Sequence, residues 1–568
     1  MKEKLSDYLV NSFGNVIGVD TKKITVDIEK EENLNLLKIN DIVILKGRND
    51  DEKLIGLITK VVKKYLDEED DEMDFSSSNL AIVSLVGTFF QIFKGKNNVF
   101  KRSISSYPEI NSNVFLAGNK ELSIIMNSLN DSNSKNPLLI GKYASNEDVN
   151  AILNGNKFFQ RHAAIVGSTG SGKSYTVANI LEKITSLPHS NAIVFDLHGE
   201  YNELDYAEQI RIGSGEKDMK IPLWLFNYEE IHSLFIESSE GTSSNQRAVV
   251  TEFILREKKK YIKEKMKDID TSIVTVDTPI PFSSNLMCEY LVSRDTEIEY
   301  GELNKTGANA GKPKEKQGQY YGKLTNLINR LQTKIDDKKY SFVFSDDNIL
   351  DVGYLNAFAK KLFDNSSKRI KVIDLSEVPS DILPIIIGIV TRIINDVQFW
   401  MTPTKNKTRL PLIIVCDEAH IYMMNDTSKM KAVERKSLQI FESIAKEGRK
   451  YGIGLLIVSQ RPSELNTTIV SQCNNIMSLK ITNDRDKSAV ANLLTDSLEG
   501  IVDTLPNLDI GECIVVGDAI MLPSKIILNE PKQAPKSATI DFWDKWEDNT
   551  GTVFEVDVAI KNLIKQQR

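Results

Sequence analysis

The chain has 568 residues, which is too long for one compact core and predicts roughly two to four domains. Its hydrophobic content of 41% and charged content of 26% are those of an ordinary globular protein, and its net charge of −8 excludes a protein that coats nucleic acid indiscriminately. The four cysteines form no C-x-x-C pair, which argues against a disulfide framework or a cysteine-based metal site and favours a reducing compartment.

The sequence contains no segment typical of secretion or of a membrane span. Its first residues, MKEKLSDYLVNSFGN, lack the apolar core of a signal peptide. The longest apolar run, Ile382 to Ile394, is too short to cross a bilayer and contains Pro384 and Arg392, so we predict a buried helix there. We therefore expect a soluble, cytoplasmic protein with no membrane partner.

The N-terminal region predicts a small β-barrel. Apolar and polar residues alternate in short bursts from Gly14 to Val62, and strand-like segments resume at Asn79 and continue to Val114. The acidic run from Asp67 to Glu72 is predicted to be a solvated loop. The polar segment from Ser132 to Asn150 is predicted to link the barrel to the next domain.

A glycine-rich stretch follows, reading AAIVGSTGSGKSYTVANIL from Ala163. An apolar strand, the pattern G-x-x-x-x-G-K-[ST] and a helical pattern occur in the order that a phosphate-binding loop requires, which favours a nucleoside triphosphate site over an ordinary glycine turn. Lys173 can reach the β- and γ-phosphates, and the Ser174 hydroxyl can ligate Mg²⁺. The residues predicted to contact the nucleotide are Gly167, Ser168, Thr169, Gly170, Ser171, Gly172, Lys173, Ser174 and Tyr175.

Strands alternate with helices from residue 160 to 480, which predicts an α/β domain with a mainly parallel sheet. The alternation is interrupted between about Glu229 and Lys338, where Glu, Lys and Arg at helical spacing predict an inserted helical subdomain. Within it, Asn304 to Gly318 is glycine-rich and basic, and both a mobile basic loop and a plain disordered connector are consistent with it.

Two strand ends carry residues suited to hydrolysis. In LIIVCDEAH, Asp417 can hold the Mg²⁺ shell and Glu418 can polarise the attacking water, whereas we expect His420 to be a structural polar residue. In SQRP, Gln460 can sense the γ-phosphate, and a simple turn set by Pro462 is the alternative.

Arg449 and Arg161 are candidates for neutralising transition-state charge, in their own chain or from a neighbouring subunit.

The segments RHAAIVGSTGSGKS, FDLHGEY, VCDEAHIY, EGRKYGIGLLIVSQRPSEL and GECIVVGDAI together resemble the HerA family of hexameric DNA-translocating ATPases, in the HerA–FtsK superfamily. The resemblance covers the core and extends to the N-terminal barrel, which HerA-like proteins also carry. The sequence departs from the family at Leu197, where relatives often have proline, and in the insertion.

The resemblance implies a RecA-like P-loop ATPase core of the α/β class and a small N-terminal β-barrel, to which the residue pattern adds the inserted helical subdomain. We divide the chain into the barrel (1–130), the first part of the core (131–228), the insertion (229–338), the second part of the core (339–530) and a C-terminal tail (531–568). By resemblance, Lys173 and Ser174 belong to the Walker A motif, Asp417 is the Walker B aspartate and Glu418 the catalytic glutamate. Gln460 would be the sensor, Arg449 the arginine finger, Arg161 a further charge at the site, and Glu200 a neighbour of the nucleotide.

The resemblance also implies ATP and Mg²⁺ as cofactors, a homo-hexamer with double-stranded DNA through its central pore, and a separate effector subunit, a nuclease or a sirtuin-like protein. Our first hypothesis is a DNA translocase or helicase that serves DNA end processing or antiphage defence. The alternative is an ATPase scaffold that assembles and activates a defence effector, with translocation secondary or absent. A conjugation-type motor is a third possibility, against which the lack of membrane segments counts.

Overall fold

A computed structural model describes residues 5–9, 11–21, 23–49, 51–65, 77–93, 97–104, 106–129, 137–237, 240–303, 313–346, 349–401, 409–493, 502–537, 542–547 and 556–565. The acidic run at 67–72 and residues 304–312 of the basic segment lie outside these ranges, so the predictions made for them stay predictions.

Within these ranges the strands are β1 (Ser12–Val19), β2 (Ile24–Ile28), β3 (Ile42–Lys46), β4 (Glu52–Tyr65), β5 (Ser77–Phe93), β6 (Asn97–Lys101), β7 (Asn113–Leu116), β8 (Leu138–Tyr143), β9 (Asn146–Leu153), β10 (Ala163–Val166), β11 (Ala192–Asp196), β12 (Ala207–Arg211), β13 (Ile298–Leu303), β14 (Pro313–Gln317), β15 (Ile370–Asp374), β16 (Leu412–Cys416), β17 (Ile453–Ser459), β18 (Asn475–Ser478), β19 (Glu512–Gly517) and β20 (Ser524–Leu528).

The helices are α1 (Glu31–Leu34), α2 (Asn119–Leu129), α3 (Gly155–Gln160), α4 (Lys173–Thr185), α5 (Tyr228–Phe235), α6 (Ser243–Lys265), α7 (Ser284–Asp295), α8 (Thr325–Asp336), α9 (Ser341–Phe344), α10 (Val352–Phe363), α11 (Leu383–Trp400), α12 (Ala432–Tyr451), α13 (Thr467–Ser471), α14 (Asp484–Ala491), α15 (Phe542–Glu547) and α16 (Val556–Lys565). The chain forms two compact units, the first made of 1–188, 418–420 and 454–535, the second of 189–417, 421–453 and 536–568.

The N-terminal strands of the first unit close into a barrel. Their order is β2-β1-β7-β3-β4-β5, and an antiparallel pairing of β2 with β5 closes the ring, while β6 pairs with β5 outside it. Alternate side chains point inward, as a half-buried strand requires, and Val16, Val26 and Val83 are fully buried in the barrel core. The predicted barrel is confirmed.

The nucleotide loop belongs to a second sheet of the same unit, with the order β17-β10-β18-β19-β20-β8-β9. The strand β10 pairs in parallel with β17 and with β18, whereas the strands from β19 to β9 are antiparallel. All four residues of β10 are buried, which explains their unbroken apolar run. Residues 138–153 form the β8–β9 hairpin, so the prediction of a polar linker was wrong for this part of 132–150.

The second unit contains four parallel strands in the order β12-β15-β11-β16. The insertion is helical, as predicted, with α5 to α8 as its main elements. It also carries the antiparallel ribbon β13–β14, in which every residue is exposed. Residues 313–317 are therefore a strand, and the prediction of a loop was wrong for them.

The apolar helix α11 is the one described helix with the length and composition to cross a membrane, but 67% of it is buried inside the protein. Pro384 lies in its first turn, where a missing N–H is tolerated. Arg392 donates to Leu225 O (2.7 Å) and to Glu230 Oε2 (2.9 Å), which satisfies a charge in the helix interior. The helix is buried, as predicted from the sequence.

A buried lysine joins helix α6 to the chain that follows it. Lys258 is fully buried, and its Nζ donates to Val276 O and Thr278 O, each at 2.6 Å. Its ammonium also lies 5.5 Å from the centre of the Phe282 ring. Burial lowers the pKa of Lys258 to about 7, and nearby Asp277 opposes that shift.

This burial predicts a pH-dependent stability. Since the folded pKa of Lys258 lies below its value in the unfolded chain, the unfolded chain binds more protons above pH 7, and the free energy of unfolding rises with pH there. Relative to Lys258→Met, we expect the wild type to gain about 1 kcal/mol per pH unit between about pH 7.5 and 9, measured by urea unfolding. Lys260→Met, which removes an exposed lysine of the same helix, is the control. Parallel pH profiles for wild type and Lys258→Met would contradict the prediction.

Candidate nucleotide-hydrolysis site

The glycine-rich loop connects β10 to α4, and its backbone conformation requires the glycines. Gly170 and Gly172 have φ angles of 73° and 99°, in the left-handed region that side chains disfavour. A Cβ atom on Gly167 would lie 2.6 Å from Ser171 Oγ, closer than atoms can pack. The loop therefore exposes backbone rather than side chains along its inner surface.

Hydrogen bonds to neighbouring strands hold this loop in place. Gly167 N donates to Ser459 O (3.3 Å), and Ser168 N donates to Lys480 O (2.8 Å). Both acceptors lie at or just after the carboxyl ends of β17 and β18, the strands that flank β10. The loop is thus attached to the strands on both sides of β10, at the sheet edge where parallel α/β sheets bind ligands.

The donors of the loop fit a phosphate chain. Helix α4 begins directly after Gly172, which has no side chain to cap the first-turn N–H groups. Lys173 is 8% exposed, and its Nζ donates to Ser168 O at 3.2 Å, so its charge is held at the loop. Ser171 Oγ is buried and has no hydrogen-bond partner in the described part of the chain. A lysine, the N–H groups of a helix N-terminus and a buried hydroxyl suit phosphate oxygens.

Gln460 lies against this loop. Its Oε1 accepts a hydrogen bond of 2.6 Å from Thr169 Oγ1. The residue follows β17 directly, so the strand end and the loop are joined both through backbone and through side chains. This position brings the predicted sensor to the loop, while its role stays a prediction.

Glu418 makes a contact that the sequence did not reveal. Its Oε2 lies 3.2 Å from Nδ1 of His420, and the same Nδ1 lies 3.3 Å from Ser459 Oγ. Burial lowers the pKa of His420, against the opposing effect of the Glu418 charge, so the imidazole is neutral. The hydrogen bond of Nδ1 is made with Ser459 Oγ, and its approach to Glu418 is an electrostatic contact.

Glu418 also has an unusual backbone. Its φ of 44° lies in the left-handed region, which is strained for a residue other than glycine and is common at functional sites. Asp417, which precedes it in the second unit, is buried, and its backbone carbonyl accepts from Tyr422 Oη at 3.0 Å. The assignments of Asp417 and Ser174 to Mg²⁺ remain predictions.

Arg161 is not brought to the loop of its own chain. It caps the end of α3, before β10 begins, and therefore lies at the strand end opposite to the loop. Its guanidinium forms an ion pair with Asp518, which also accepts from Asn474 Nδ2 at 3.3 Å. A role for Arg161 at a nucleotide stays a prediction for a neighbouring copy.

The remaining candidates are exposed or partly exposed. Tyr175 lies in the first turn of α4 and is 38% exposed, and Arg449 is exposed in the last turn of α12. Glu200 follows β11 in a loop that Asp196 organises by accepting backbone N–H bonds from residues 198 to 201. Asp196 is therefore the carboxylate that stabilises this loop, and burial raises its pKa. These positions do not test the roles predicted for Tyr175, Arg449 and Glu200, which stay predictions.

The α/β fold, the glycine loop and its donor set define a P-loop nucleoside triphosphatase. A family model for the central domain of the helicase HerA matches residues 138–394. The DNA double-strand break repair helicase HerA of Saccharolobus solfataricus is 30% identical over 389 residues, covering 68% of this chain and 67% of that protein. The protein of the same name from Sulfolobus acidocaldarius is 27% identical over 509 residues, covering 88% and 90%. Among solved structures, VirB4 of Thermoanaerobacter pseudethanolicus is similar with a TM-score of 0.47 and 16% identity, covering 71% of this chain and 99% of that one.

The chain belongs to the HerA helicase family. It is an ATP-hydrolysing enzyme, and the resemblance noted in its sequence is confirmed.

The loop geometry predicts the effect of removing its lysine. Lys173→Ala should weaken ATP binding about 10- to 100-fold, because charge-assisted hydrogen bonds contribute roughly 1.5–3 kcal/mol each. Titration of a fluorescent ATP analogue measures this change. Lys183→Ala, at the other end of α4, is the matched control and should bind normally. Equal affinities for the two variants would refute the assignment.

Proposed function

We propose that this protein is an ATP-driven DNA translocase or helicase that works as a ring of identical subunits, six by resemblance to its family, on double-stranded DNA. The observation that carries the proposal is the assembly of the P-loop, Gln460 and Glu418 in one compact unit. The relatives named as DNA double-strand break repair helicases support DNA as the substrate.

In this proposal each residue of the site has a separate task. The loop N–H groups and Lys173 bind the phosphates, and Glu418 orients the attacking water and accepts its proton. Gln460, which is hydrogen-bonded to Thr169 of the loop, would sense the terminal phosphate. Mg²⁺, held by Ser174 and Asp417, would neutralise phosphate charge.

In a ring, two exposed arginines would be available to a neighbouring subunit. Arg161 lies away from the loop of its own chain, and Arg449 is exposed at the end of a helix. We infer that an arginine from one subunit completes the site of the next, which couples hydrolysis to movement between subunits. A head-to-tail interface of this kind closes into a ring when its rotation allows.

DNA would be gripped through its phosphates by basic residues lining the ring. Such binding is salt-sensitive and independent of base sequence. The net charge of −8 is compatible with it when the basic surface is local. We further propose a separate effector subunit, a nuclease or sirtuin-like protein, and a role in DNA end processing or antiphage defence, both on the family resemblance alone.

The first test is the response of hydrolysis to DNA. Duplex DNA should stimulate ATP hydrolysis by the purified protein, equally for duplexes of different sequence, and the stimulation should fall as salt is raised. Glu418→Gln should keep ATP binding and lose hydrolysis. Hydrolysis that ignores DNA but changes when an effector is added would replace translocation with the scaffold function.

The second test asks whether sites are shared between subunits. Lys173→Ala and Arg161→Ala should each be inactive alone, but mixed rings contain interfaces with an intact loop on one side and an intact arginine on the other. An equal mixture should recover up to about a quarter of wild-type hydrolysis, the fraction of such interfaces in a random head-to-tail ring. The same mixture with Arg449→Ala tests the other arginine. No recovery in either mixture, or a monomeric mass with an ATP analogue bound, would contradict the ring.

A further inference from the structure

We propose that His420 is the positioning residue for Glu418, and that its contact with Ser459 connects the sensor strand to the carboxylate that activates water. This inference rests on the proposed hydrolysis of ATP at the P-loop, and it deepens that function by naming how two parts of the site communicate.

The first support is the geometry around one nitrogen. His420 Nδ1 lies at nearly equal distances from Glu418 Oε2 (3.2 Å) and Ser459 Oγ (3.3 Å). The hydrogen bond of Nδ1 is with Ser459, and Nδ1 can form one with Glu418 Oε2 only by giving up that bond. The strength with which the imidazole holds Glu418 therefore depends on the position of the Ser459 hydroxyl.

The second support is the set of bonds that fix Ser459. Its Oγ accepts the backbone N–H of Arg461 at 3.0 Å, across the Gln460 residue between them. Its carbonyl accepts from Gly167 N at 3.3 Å, at the start of the phosphate loop. Any displacement of Gln460 when the terminal phosphate binds or leaves is thus transmitted to the Ser459 hydroxyl, and from there to His420.

The third support is the condition of Glu418 itself. Its left-handed backbone is strained and persists only where surrounding contacts hold it. The His420 side chain is 11% exposed and that of Glu418 is 13% exposed, so few water molecules compete for their contact. A neutral imidazole beside the carboxylate does not cause the strong loss of basicity that a cationic partner would cause.

The test is a double-mutant cycle on kcat and KM for ATP. His420→Leu removes the donor at similar volume, and His420→Asn keeps a side-chain N–H that can reach a carboxylate. We expect His420→Leu to lower kcat about 10- to 100-fold with KM changed less than about threefold, and His420→Asn to recover part of the loss. Ser459→Ala should lower kcat several-fold in the wild type and have little further effect in His420→Leu.

Each outcome separates this inference from the proposed function. If the wild type hydrolyses ATP and Lys173→Ala does not, the function stands. A wild-type kcat in His420→Leu, or additive effects of the two substitutions, would then overturn the positioning role alone. Should His420→Leu fail to fold by its unfolding midpoint, the cycle with His420→Asn and Ser459→Ala decides, and additivity there also overturns it. A wild type that does not hydrolyse ATP would refute the function itself.

Discussion

The hydrolytic site depends on one constraint, which is that β10 is buried between two parallel strands. Parallel neighbours place the carboxyl ends of β17, β10 and β18 at the same edge of the sheet. The phosphate loop leaves β10 at that edge, Ser459 and Gln460 leave β17 there, and the carbonyl that fixes Ser168 follows β18. Residues far apart in the sequence become one site because the sheet aligns their strands, and because the loop between them has glycines where side chains would block it.

The opposite edge of the same sheet carries a different set of charges. Arg161 precedes β10 there and binds Asp518, and Arg102 of the barrel approaches the same carboxylate at 3.5 Å. Arg102 also donates to Ile520 O and Met521 O, which attaches the barrel to the turn after β19. Burial lowers the pKa of Arg102, and the charge of Asp518 opposes that shift. One carboxylate therefore joins the barrel to the residue that precedes the loop strand, while the loop itself emerges from the far end.

The sequence predicted those features that depend on local pattern. The glycine loop, the buried strands and the carboxylates after β16 follow from residue type and spacing, and so do the alternating strands of the barrel. The β8–β9 hairpin escaped notice because its outer face is exposed and polar, as in a loop. Strand β14 escaped because a fully exposed ribbon shows no apolar alternation. The contact of His420 with Ser459 could not be predicted, because the two residues are 39 positions apart and only the folded sheet brings them together.

The choice of histidine as the partner of Glu418 has a chemical reason. A lysine or arginine at that position would hold the carboxylate more firmly, but its positive charge would weaken the carboxylate as a proton acceptor. Burial lowers the pKa of the imidazole, so a neutral ring lies beside the carboxylate and leaves its charge available. Nδ1 is hydrogen-bonded to Ser459, so its contact with Glu418 is linked to the end of β17. The site thus places the strained, negatively charged Glu418 in a weak contact with His420. A contact of this kind lets the carboxylate respond to movements at the end of β17.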